Sequence, residues 1–309
     1  MDRIKVGVVG VGHLGSIHAK LYREIESCSL AAVCDTDKAR LEEISSNLNV
    51  PGYADYQELF GKVDAVSIAA PTKEHHKIAS DFLRHKIHTL VEKPFTTNLK
   101  EADSLISLAR RNKLILQVGH VERFNSAFAA TLKLIKDPQF IECHRLSPFP
   151  RRSLDIGVVL DLMIHDIDIV LGLVNSQIKK IEAVGIPVLT PLEDIANARL
   201  TFKNGCVCNL TASRVSDEAM RKIRIFFKNT YISLDYKNEE AFVYKKTDSS
   251  ISKEALPIEK EQPLKKELSA FIDCVAQNRV PLVSGEVARE ALRVAFEISK
   301  QIWKTQRIS

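Results

Sequence analysis

The fold of this chain is decided by its opening stretch, Ile4-Lys5-Val6-Gly7-Val8-Val9-Gly10-Val11-Gly12-His13-Leu14-Gly15. Residues 4–9 are apolar and largely β-branched, which is typical of a short buried strand. A G-x-G-x-x-G turn follows, and residues 16–21 have a helical pattern, so the glycines stand where a dinucleotide-binding turn needs them. We expect Gly10 to make the tight turn, Gly12 to let a pyrophosphate approach the backbone, and Gly15 to allow close packing of helix on strand.

A second mark of dinucleotide binding lies at the end of the next predicted strand, residues 29–34. Asp35 follows it, placed to accept hydrogen bonds from a ribose 2′-hydroxyl and to repel a 2′-phosphate. The sequence therefore predicts NAD rather than NADP as cofactor, although Lys38 and Arg40 are near enough in sequence to weaken that preference. The alternative is a βαβ unit whose glycines serve only a turn.

Composition places the chain among globular proteins of ordinary character. Its 309 residues suffice for two domains, and 45% hydrophobic with 27% charged residues is usual for a soluble protein. A net charge of +5, with the basic residues dispersed, does not indicate a nucleic-acid partner. The six cysteines contain no C-x-x-C pair, and strand residues begin at Ile4, where a signal peptide would lie. We expect reduced thiols, no metal site and no membrane association in a cytoplasmic protein.

The first part of the chain, residues 1–121, alternates predicted strands and helices up to Val118. Such alternation predicts parallel βαβ units and hence a doubly wound parallel α/β sheet of Rossmann type. Ligands of these sheets bind beyond the carboxyl ends of the strands. The candidate cofactor contacts are therefore Gly10, Gly12, His13, Leu14, Gly15, Asp35, Ala70, Pro71, Thr72, Glu92, Lys93 and residues 119–123.

The pattern changes after about residue 123, and residues 122–309 are predicted to form an α+β domain for substrate binding and oligomerisation. Alternating or β-rich segments indicate a mainly antiparallel open sheet with one covered face: residues 195–202, 206–213, 221–227 and 231–236. Residues 264–277 and 286–303 are predicted helices. The polar side chains of the uncovered face suit a wet interface between identical subunits: Asn197, Arg199, Thr201, Asn209, Thr211 and Ser213.

Lys93 is the first candidate for a catalytic residue. It directly follows an apolar strand and precedes Pro94, at the edge where such a sheet presents its ligands. A lysine there could transfer protons. A solvent-exposed lysine at a strand end would look the same, and position alone does not choose between the two.

The second candidate is the helix predicted over residues 157–174, which is apolar on all sides and should be buried. It nevertheless carries Asp161, His165 and Asp168, which α-helical spacing places on one face. Buried ionisable groups are costly unless they are paired or used. Structural hydrogen bonding and metal binding are alternatives, the latter without a clear third ligand. Acid–base chemistry is favoured because a histidine exchanges protons near neutral pH.

Together these pieces resemble the Gfo/Idh/MocA family of nicotinamide-dependent oxidoreductases over essentially the full length. The matching motifs are GVGHLG from Gly10 with His18, APTKEH from Ala70, EKP from Glu92, and the Gly157, Asp161, His165, Asp168 series. The resemblance implies catalytic roles for Lys93, Asp161 and His165, with Glu92, Lys93 and His75 near the cofactor. Where the family often has glycine two residues before the histidine, this chain has Met163.

The resemblance also implies a reaction, the oxidation of a secondary hydroxyl of a sugar. Within the family, GHVERFN (Gly119 to Asn125) and the run from Ile156 to Asp168 are most like bacterial UDP-N-acetylglucosamine 3-dehydrogenases. Arg123 and Asn125 are then expected near the substrate. Alternatives are a dehydrogenase of a free sugar or inositol, and a sensor that binds nicotinamide or sugar without turnover. The family commonly forms dimers or tetramers.

A loop predicted over residues 144–153 suggests how a nucleotide sugar could be held. It places three arginines, Arg145, Arg151 and Arg152, shortly before Asp161. Arginine suits bidentate contacts with phosphate, and the prolines at 148 and 150 limit the loop's freedom. On the residues alone, an exposed basic loop is an equal alternative.

Overall fold

The computed structural model describes residues 3–149 and 155–306. The chain forms two compact units, one from residues 1–121 with 262–289 and one from residues 122–261 with 290–309. The sequence instead predicted a second domain that takes in all of residues 122–309. Residues 262–289 belong to the first unit for a packing reason given below.

The first unit is built on a six-stranded, wholly parallel sheet. Its strands are β1 (Ile4–Val9), β2 (Cys28–Cys34), β3 (Gly52–Tyr53), β4 (Ala65–Ile68), β5 (His88–Glu92) and β6 (Leu116–Gly119), in the order β3-β2-β1-β4-β5-β6. The helices between them are α1 (His13–Glu24), α2 (Lys38–Leu48), α3 (Thr72–Arg84) and α4 (Leu99–Asn112). The predicted doubly wound parallel sheet is confirmed, with the order reversing beside β1.

The second unit is built on an eight-stranded sheet. Its strands are β7 (Phe140–Leu146), β8 (Ile178–Ile186), β9 (Ile195–Phe202), β10 (Val207–Ser213), β11 (Met220–Phe227), β12 (Thr230–Asp235), β13 (Glu240–Lys246) and β14 (Ile251–Ala255), in the order β14-β13-β12-β11-β7-β10-β9-β8. Every pairing is antiparallel except β7 with β10, so the predicted mainly antiparallel open sheet is confirmed. The remaining α-helices among the described residues are α5 (Ser126–Leu132), α6 (Ile164–Leu173), α7 (Pro263–Gln277) and α8 (Gly285–Gln306).

One face of this second sheet is covered. On β9, Ala196, Ala198 and Leu200 are buried whereas Asn197 and Arg199 are exposed, as the alternation predicts. The uncovered face is partly organised by its own hydrogen bonds, from Asn197 Nδ2 to Thr211 Oγ1 (2.8 Å) and from Arg199 Nη1 to Asn209 Oδ1 (3.1 Å). Ser213, predicted on that face, is buried instead, and its Oγ accepts hydrogen bonds from the Val215 amide (3.2 Å) and from Ser216 Oγ (2.9 Å).

The predicted arginine loop is only partly a loop. His144, Arg145 and Leu146 belong to β7 and pair with both β10 and β11, so Arg145 is a strand residue of the sheet centre. Arg151 and Arg152 lie outside the described residues.

Helix α7 belongs to the first unit because of what it buries. Leu268, Phe271 and Ile272 are fully buried and share a core with Tyr22 of α1 and with Val6 of β1. An apolar helix face must be covered, and here it covers the first sheet's helix layer. Across residues 3–149 and 155–306, no helix combines the length and the apolar character that crossing a membrane requires.

Candidate active site

The glycine turn between β1 and α1 has the geometry that a phosphate site needs. Gly10 has φ +83°, and a Cβ there would stand 2.8 Å from the backbone of Ala69 and Ala70. A Cβ on Gly15 would collide with the Gly10 carbonyl oxygen. Above Gly12 the space is open, the nearest atom being Arg40 Nη1 at 3.8 Å. The first and third glycines are thus required by packing, whereas the second leaves room for a ligand at the α1 N-terminus.

Beside this turn lies a cavity of about 820 Å³ within the first unit. It is lined by five of the predicted cofactor contacts, Gly10, Gly12, Asp35, Ala70 and Pro71. Its volume and position at the carboxyl end of β1 and β2 suit half of a dinucleotide. Residues that were not predicted as cofactor contacts also line it: Thr36, Asp37, Arg40, Tyr56, Lys73 and Lys77. The sequence signal that could have identified Lys73 and Lys77 is their spacing, which places them one helical turn apart at the start of α3.

Asp35 is held in place in the lining of this cavity. Its Oδ2 accepts a hydrogen bond from the Val11 amide at 2.8 Å, and its Oδ1 accepts one from the Asp37 amide at 2.9 Å. Arg40 Nη1 lies 3.8 Å from Oδ2, and Arg40 Nη2 lies 3.5 Å from Asp37 Oδ2. The carboxylate is therefore held in a defined orientation, with a cation beside it.

His75 lies inside the first unit, with 1% of its surface exposed. Its Nδ1 is 3.0 Å from the Pro94 carbonyl oxygen, and its Nε2 is 2.8 Å from that of Ala70. Burial lowers the pKa of His75, against the effect of these carbonyl groups. The ring joins two turns at the carboxyl edge of the sheet, so its influence on a cofactor would pass through them.

Glu92 and Lys93 end β5 at that same edge. Glu92 is buried, and its Oε2 accepts a hydrogen bond from the Lys93 amide at 3.1 Å. Its carboxylate lies over Gly119 of β6, where a Cβ would stand 2.6 Å from Oε1. Lys93 is half-buried and precedes Pro94 through a cis peptide bond.

In the second unit, Asp161 and His165 lie on a helix that is not α-helical throughout. Val159–Met163 form a π-helical turn, and the Ile164 amide donates to the Val159 carbonyl. The wider turn changes the angle between the two side chains from the one that α-helical spacing predicts. Asp161 is half-buried and His165 has 9% of its surface exposed. π-Helical turns of this kind occur frequently at functional sites.

Asp168 does not join this pair. It is buried, and Arg123 Nε donates to its Oδ2 at 2.6 Å while Arg123 Nη2 donates to its backbone carbonyl at 2.8 Å. Asn125 caps α5 by accepting from the Ala127 amide and donates to the Tyr236 carbonyl at 3.2 Å. Arg123 and Asn125 thus have structural partners within their own unit, and their contact with substrate stays a prediction.

Arg145 is committed to the interior of the second unit. It donates to Asp166 through Nε (3.0 Å) and Nη2 (2.8 Å) and to Glu122 through Nη1 (2.7 Å). Arg145, Asp166 and Glu122 are 3%, 3% and 7% exposed. Burial raises the pKa of Asp166 against the opposing effect of Arg145. An arginine neutralised in this way is unsuited to binding the phosphates of a nucleotide, which corrects the expectation for this residue.

A second buried pair anchors the start of the helix that carries Asp161 and His165. Arg214 Nε donates to Asp194 Oδ1 at 2.8 Å, and Arg214 Nη1 donates to the Ile156 carbonyl at 2.7 Å. Next to it, the Glu193 carboxylate lies against Gly157, so that any side chain at 157 would collide with it. Sequence reasoning singled out Gly157 through the resemblance alone, and its partner Glu193 comes from a distant loop.

Comparison with known proteins fits this site. Residues 4–120 match the model of an oxidoreductase family with an NAD-binding Rossmann fold, and residues 134–233 match the GFO/IDH/MocA C-terminal domain. The UDP-N-acetylglucosamine 3-dehydrogenase of Acidithiobacillus ferrooxidans is 36% identical over 96% of this chain and 97% of its own length. A solved structure of that enzyme superposes with a TM-score of 0.93, covering 98% of each chain.

More distant relatives share the architecture. Myo-inositol 2-dehydrogenase of Thermotoga maritima is 27% identical over 97% of this chain and 96% of its own. The scyllo-inositol dehydrogenase of Lactobacillus casei, solved with NAD(H) and scyllo-inositol, is 21% identical with a TM-score of 0.84 over 98% of each chain, and at this identity it shows the fold alone. From the two domain matches and the near full-length relative, this chain belongs to the GFO/IDH/MocA family of NAD-binding oxidoreductases.

Proposed function

We propose that this chain oxidises the 3-hydroxyl of UDP-N-acetylglucosamine with NAD. The observation that carries the proposal is the 36% identity, over nearly all of both chains, to a dehydrogenase of that substrate. The inositol dehydrogenase that spans this chain to a similar extent is 27% identical. The cofactor's chemistry is the acceptance of a hydride from the carbon that bears the hydroxyl.

In this proposal His165 accepts the hydroxyl proton as the hydride leaves. Lys93 donates a hydrogen bond to the same oxygen, and Asp161 orients the substrate or the histidine. The burial of His165 and the half-buried position of Asp161 support these roles, because charge-assisted hydrogen bonds strengthen when water is excluded. Holding the reacting carbon in near-attack geometry supplies much of the acceleration.

Arg151 and Arg152 are the proposed contacts for the diphosphate. Arg145 is excluded because its guanidinium is held by two buried carboxylates. Arginine side chains contribute about 1.5–3 kcal/mol per charge-assisted hydrogen bond. Each of the two should therefore affect the binding of a nucleotide sugar and not the binding of NAD.

The test follows NAD reduction by absorbance at 340 nm with UDP-N-acetylglucosamine, N-acetylglucosamine or myo-inositol as substrate. Turnover is expected with the first, and UDP alone should inhibit competitively against it. Arg151→Ala or Arg152→Ala should raise KM about tenfold, one lost contact of about 1.4 kcal/mol. Arg111→Ala, at an exposed arginine of α4, is the matched control and should not change KM. Oxidation of inositol or a free hexose without binding of UDP would make the chain a free-polyol dehydrogenase.

We further propose that two copies of this chain pair through the uncovered face of the second sheet. Val184, Ile186 and Ile195 are 55%, 49% and 37% exposed, and they adjoin Asn197 on that face. Val188 and Leu189, in the loop that follows β8, are also exposed. A cluster of exposed apolar side chains rimmed by polar ones is typical of an interface. A homodimer, or a homotetramer built from it, would cover this surface.

A further inference from the structure

A row of polar side chains crosses the interior of the first unit and ends under the Lys93 turn. His18 of α1 is completely buried, with Nδ1 2.8 Å from Ser67 Oγ of β4 and Nε2 3.2 Å from Glu92 Oε1. Ser67 is completely buried and Glu92 is 6% exposed. His18 belongs to a motif that the resemblance singled out, and the proposed chemistry does not use it.

The hydrogen bonds of this row have one consistent direction when His18 is neutral. The Ser67 hydroxyl then donates to Nδ1, which places the ring hydrogen on Nε2, 3.2 Å from Glu92 Oε1, while the Lys93 amide donates to Oε2. Tyr22, one turn after His18 on α1, is also fully buried beside Ser67, and burial raises the pKa of its hydroxyl far above the usual range. Tyr22 therefore stays neutral and adds no charge to the row.

Glu92 is the charged end of this row. Burial raises its pKa, but the His18 ring 3.2 Å away and the hydrogen bond from the Lys93 amide more than offset this and hold the pKa below its ordinary value. The positive Lys93 acts in the same direction, and the carboxylate in turn raises the pKa of both His75 and Tyr22. The glycine at 119 gives the carboxylate its space. The result is a fixed anion at the carboxyl end of β5.

The position of the Glu92 carboxylate indicates which part of the dinucleotide binds beside it. A doubly wound dinucleotide domain consists of two mononucleotide-binding halves on either side of β1. Asp35, at the end of β2, marks the half that receives the adenosine ribose. The half formed by β4, β5 and β6, where Glu92 lies, therefore receives the nicotinamide nucleotide. The nicotinamide ring is cationic in NAD⁺ and neutral in NADH.

We propose that His18 is a positioning residue for this half of the site: fixed by Ser67, it holds the Glu92 carboxylate as an oriented anion that favours oxidised over reduced nicotinamide. The proposal rests on NAD binding, not on the identity of the sugar. It acts on cofactor affinity in the free enzyme, so it can be tested without a substrate. Failure of the UDP-sugar assignment would leave it untouched.

The experiment measures the dissociation constants of NAD⁺ by calorimetry and of NADH by fluorescence, and compares their ratio between variants. His18→Leu replaces the imidazole beside Glu92 with an apolar side chain, so the buried carboxyl group should take up a proton and lose its charge. The ratio Kd(NAD⁺)/Kd(NADH) should rise about tenfold, because only NAD⁺ loses an attractive partner. Glu92→Gln should raise it equally, and the double variant should show no further change. His18→Gln, which keeps a donor near Nε2, should restore most of the wild-type ratio.

The control is His88→Leu at the amino end of β5, the strand that ends at Glu92. There His88 Nδ1 accepts a hydrogen bond from the Ile115 amide at 3.0 Å. It removes a histidine hydrogen bond from the same unit and should leave the ratio unchanged. A folded His18→Leu with the wild-type ratio overturns the proposal. If His18→Leu does not fold, Glu92→Gln decides, and an unchanged ratio in that variant overturns the proposal equally.

Discussion

Arg145 and Asp166 form a two-point ion pair inside the second unit, Nε and Nη2 of the arginine lying 3.0 and 2.8 Å from the two carboxylate oxygens. Glu122 accepts the third hydrogen bond of the guanidinium. Removing one partner leaves buried carboxylates uncompensated, which costs about 3–5 kcal/mol. Arg145→Met should lower the free energy of unfolding by that amount in urea titrations. Lys228→Met, at an exposed lysine of the same unit, should change it by less than about 0.5 kcal/mol. Equal effects of the two would contradict the assigned role.

The sequence around Arg145 indicated part of this arrangement, namely that the residue is buried. Ile141 and Cys143 alternate inward along β7, and Arg145 continues the same phase. That alternation argues for a buried strand residue, but an arginine followed by prolines resembles a loop more strongly. The partners Glu122 and Asp166 are more than twenty residues away on either side, and one sequence gives no means of pairing them. The long-range ion pairs could therefore not be predicted from the sequence. The glycine turn, whose residues are contiguous, was predicted correctly as a strand–turn–helix.

Asp194 gives the stability of the second unit a defined dependence on pH. Burial raises the pKa of this carboxyl group, but amides of Val188, Leu189 and Thr190, with Arg214, hold it well below its usual range. A depressed carboxyl pKa stabilises the fold above the unfolded value of about 4, and the contribution is lost as pH falls below it.

The corresponding variant is Asp194→Asn. Its free energy of unfolding at pH 7 should be about 3–5 kcal/mol lower than that of wild type. This difference should shrink as pH is lowered from 4 to 3. Chemical unfolding at several pH values measures this. Asp217→Asn, at an exposed carboxylate, should follow the wild type throughout. A difference for Asp194→Asn that is independent of pH would contradict the assignment.

Loss of either proposed acid–base group should affect turnover far more than cofactor binding. Lys93→Ala and His165→Ala should each reduce kcat by about 10² or more. The affinity for NAD should stay near wild type, because the glycine turn and Asp35 are unchanged. Lys133→Ala, at an exposed lysine, is the control. Wild-type turnover in either active-site variant would remove that residue from the mechanism.

The geometry around His165 shows why residue identity was easier to predict than arrangement. The apolar surroundings of Asp161 and His165 are visible in the sequence, so their burial was expected. The π-helical turn at Val159–Met163 was not, because periodicity assumes a constant helical repeat. Asp168 has the same spacing signal as the others and pairs with Arg123 instead. Similarly, nothing local in α7 indicates that its apolar face covers the first unit.

Cofactor choice should follow the charge at the end of β2. Asp35 is held by two backbone amides, and an anion fixed there disfavours a 2′-phosphate, so kcat/KM should be higher with NAD than with NADP. Arg40 lies 3.8 Å from Asp35 and opposes this effect. Arg40→Ala should therefore increase the preference for NAD, and Asp35→Ala should decrease it. Kinetics with both cofactors test this, and a wild-type preference for NADP would refute the role of Asp35.

The oligomeric state should depend on the apolar end of the uncovered sheet face. On β8, Val184 lies opposite Asn197 and Ile186 lies opposite Ile195, so the four side chains point to the same side of the sheet. Placing carboxylates at 184 and 186 would put four charges into the interface of a symmetric dimer, since each position occurs twice. Wild type should have the mass of two or four chains by light scattering at micromolar concentration, and Val184→Asp/Ile186→Asp should have a smaller mass. Val280→Asp, at an 84% exposed apolar residue of the first unit, controls for added charge and should keep the wild-type mass. A monomeric wild type would exclude the interface. An unchanged mass of the double variant would mean that the subunits pair through another surface.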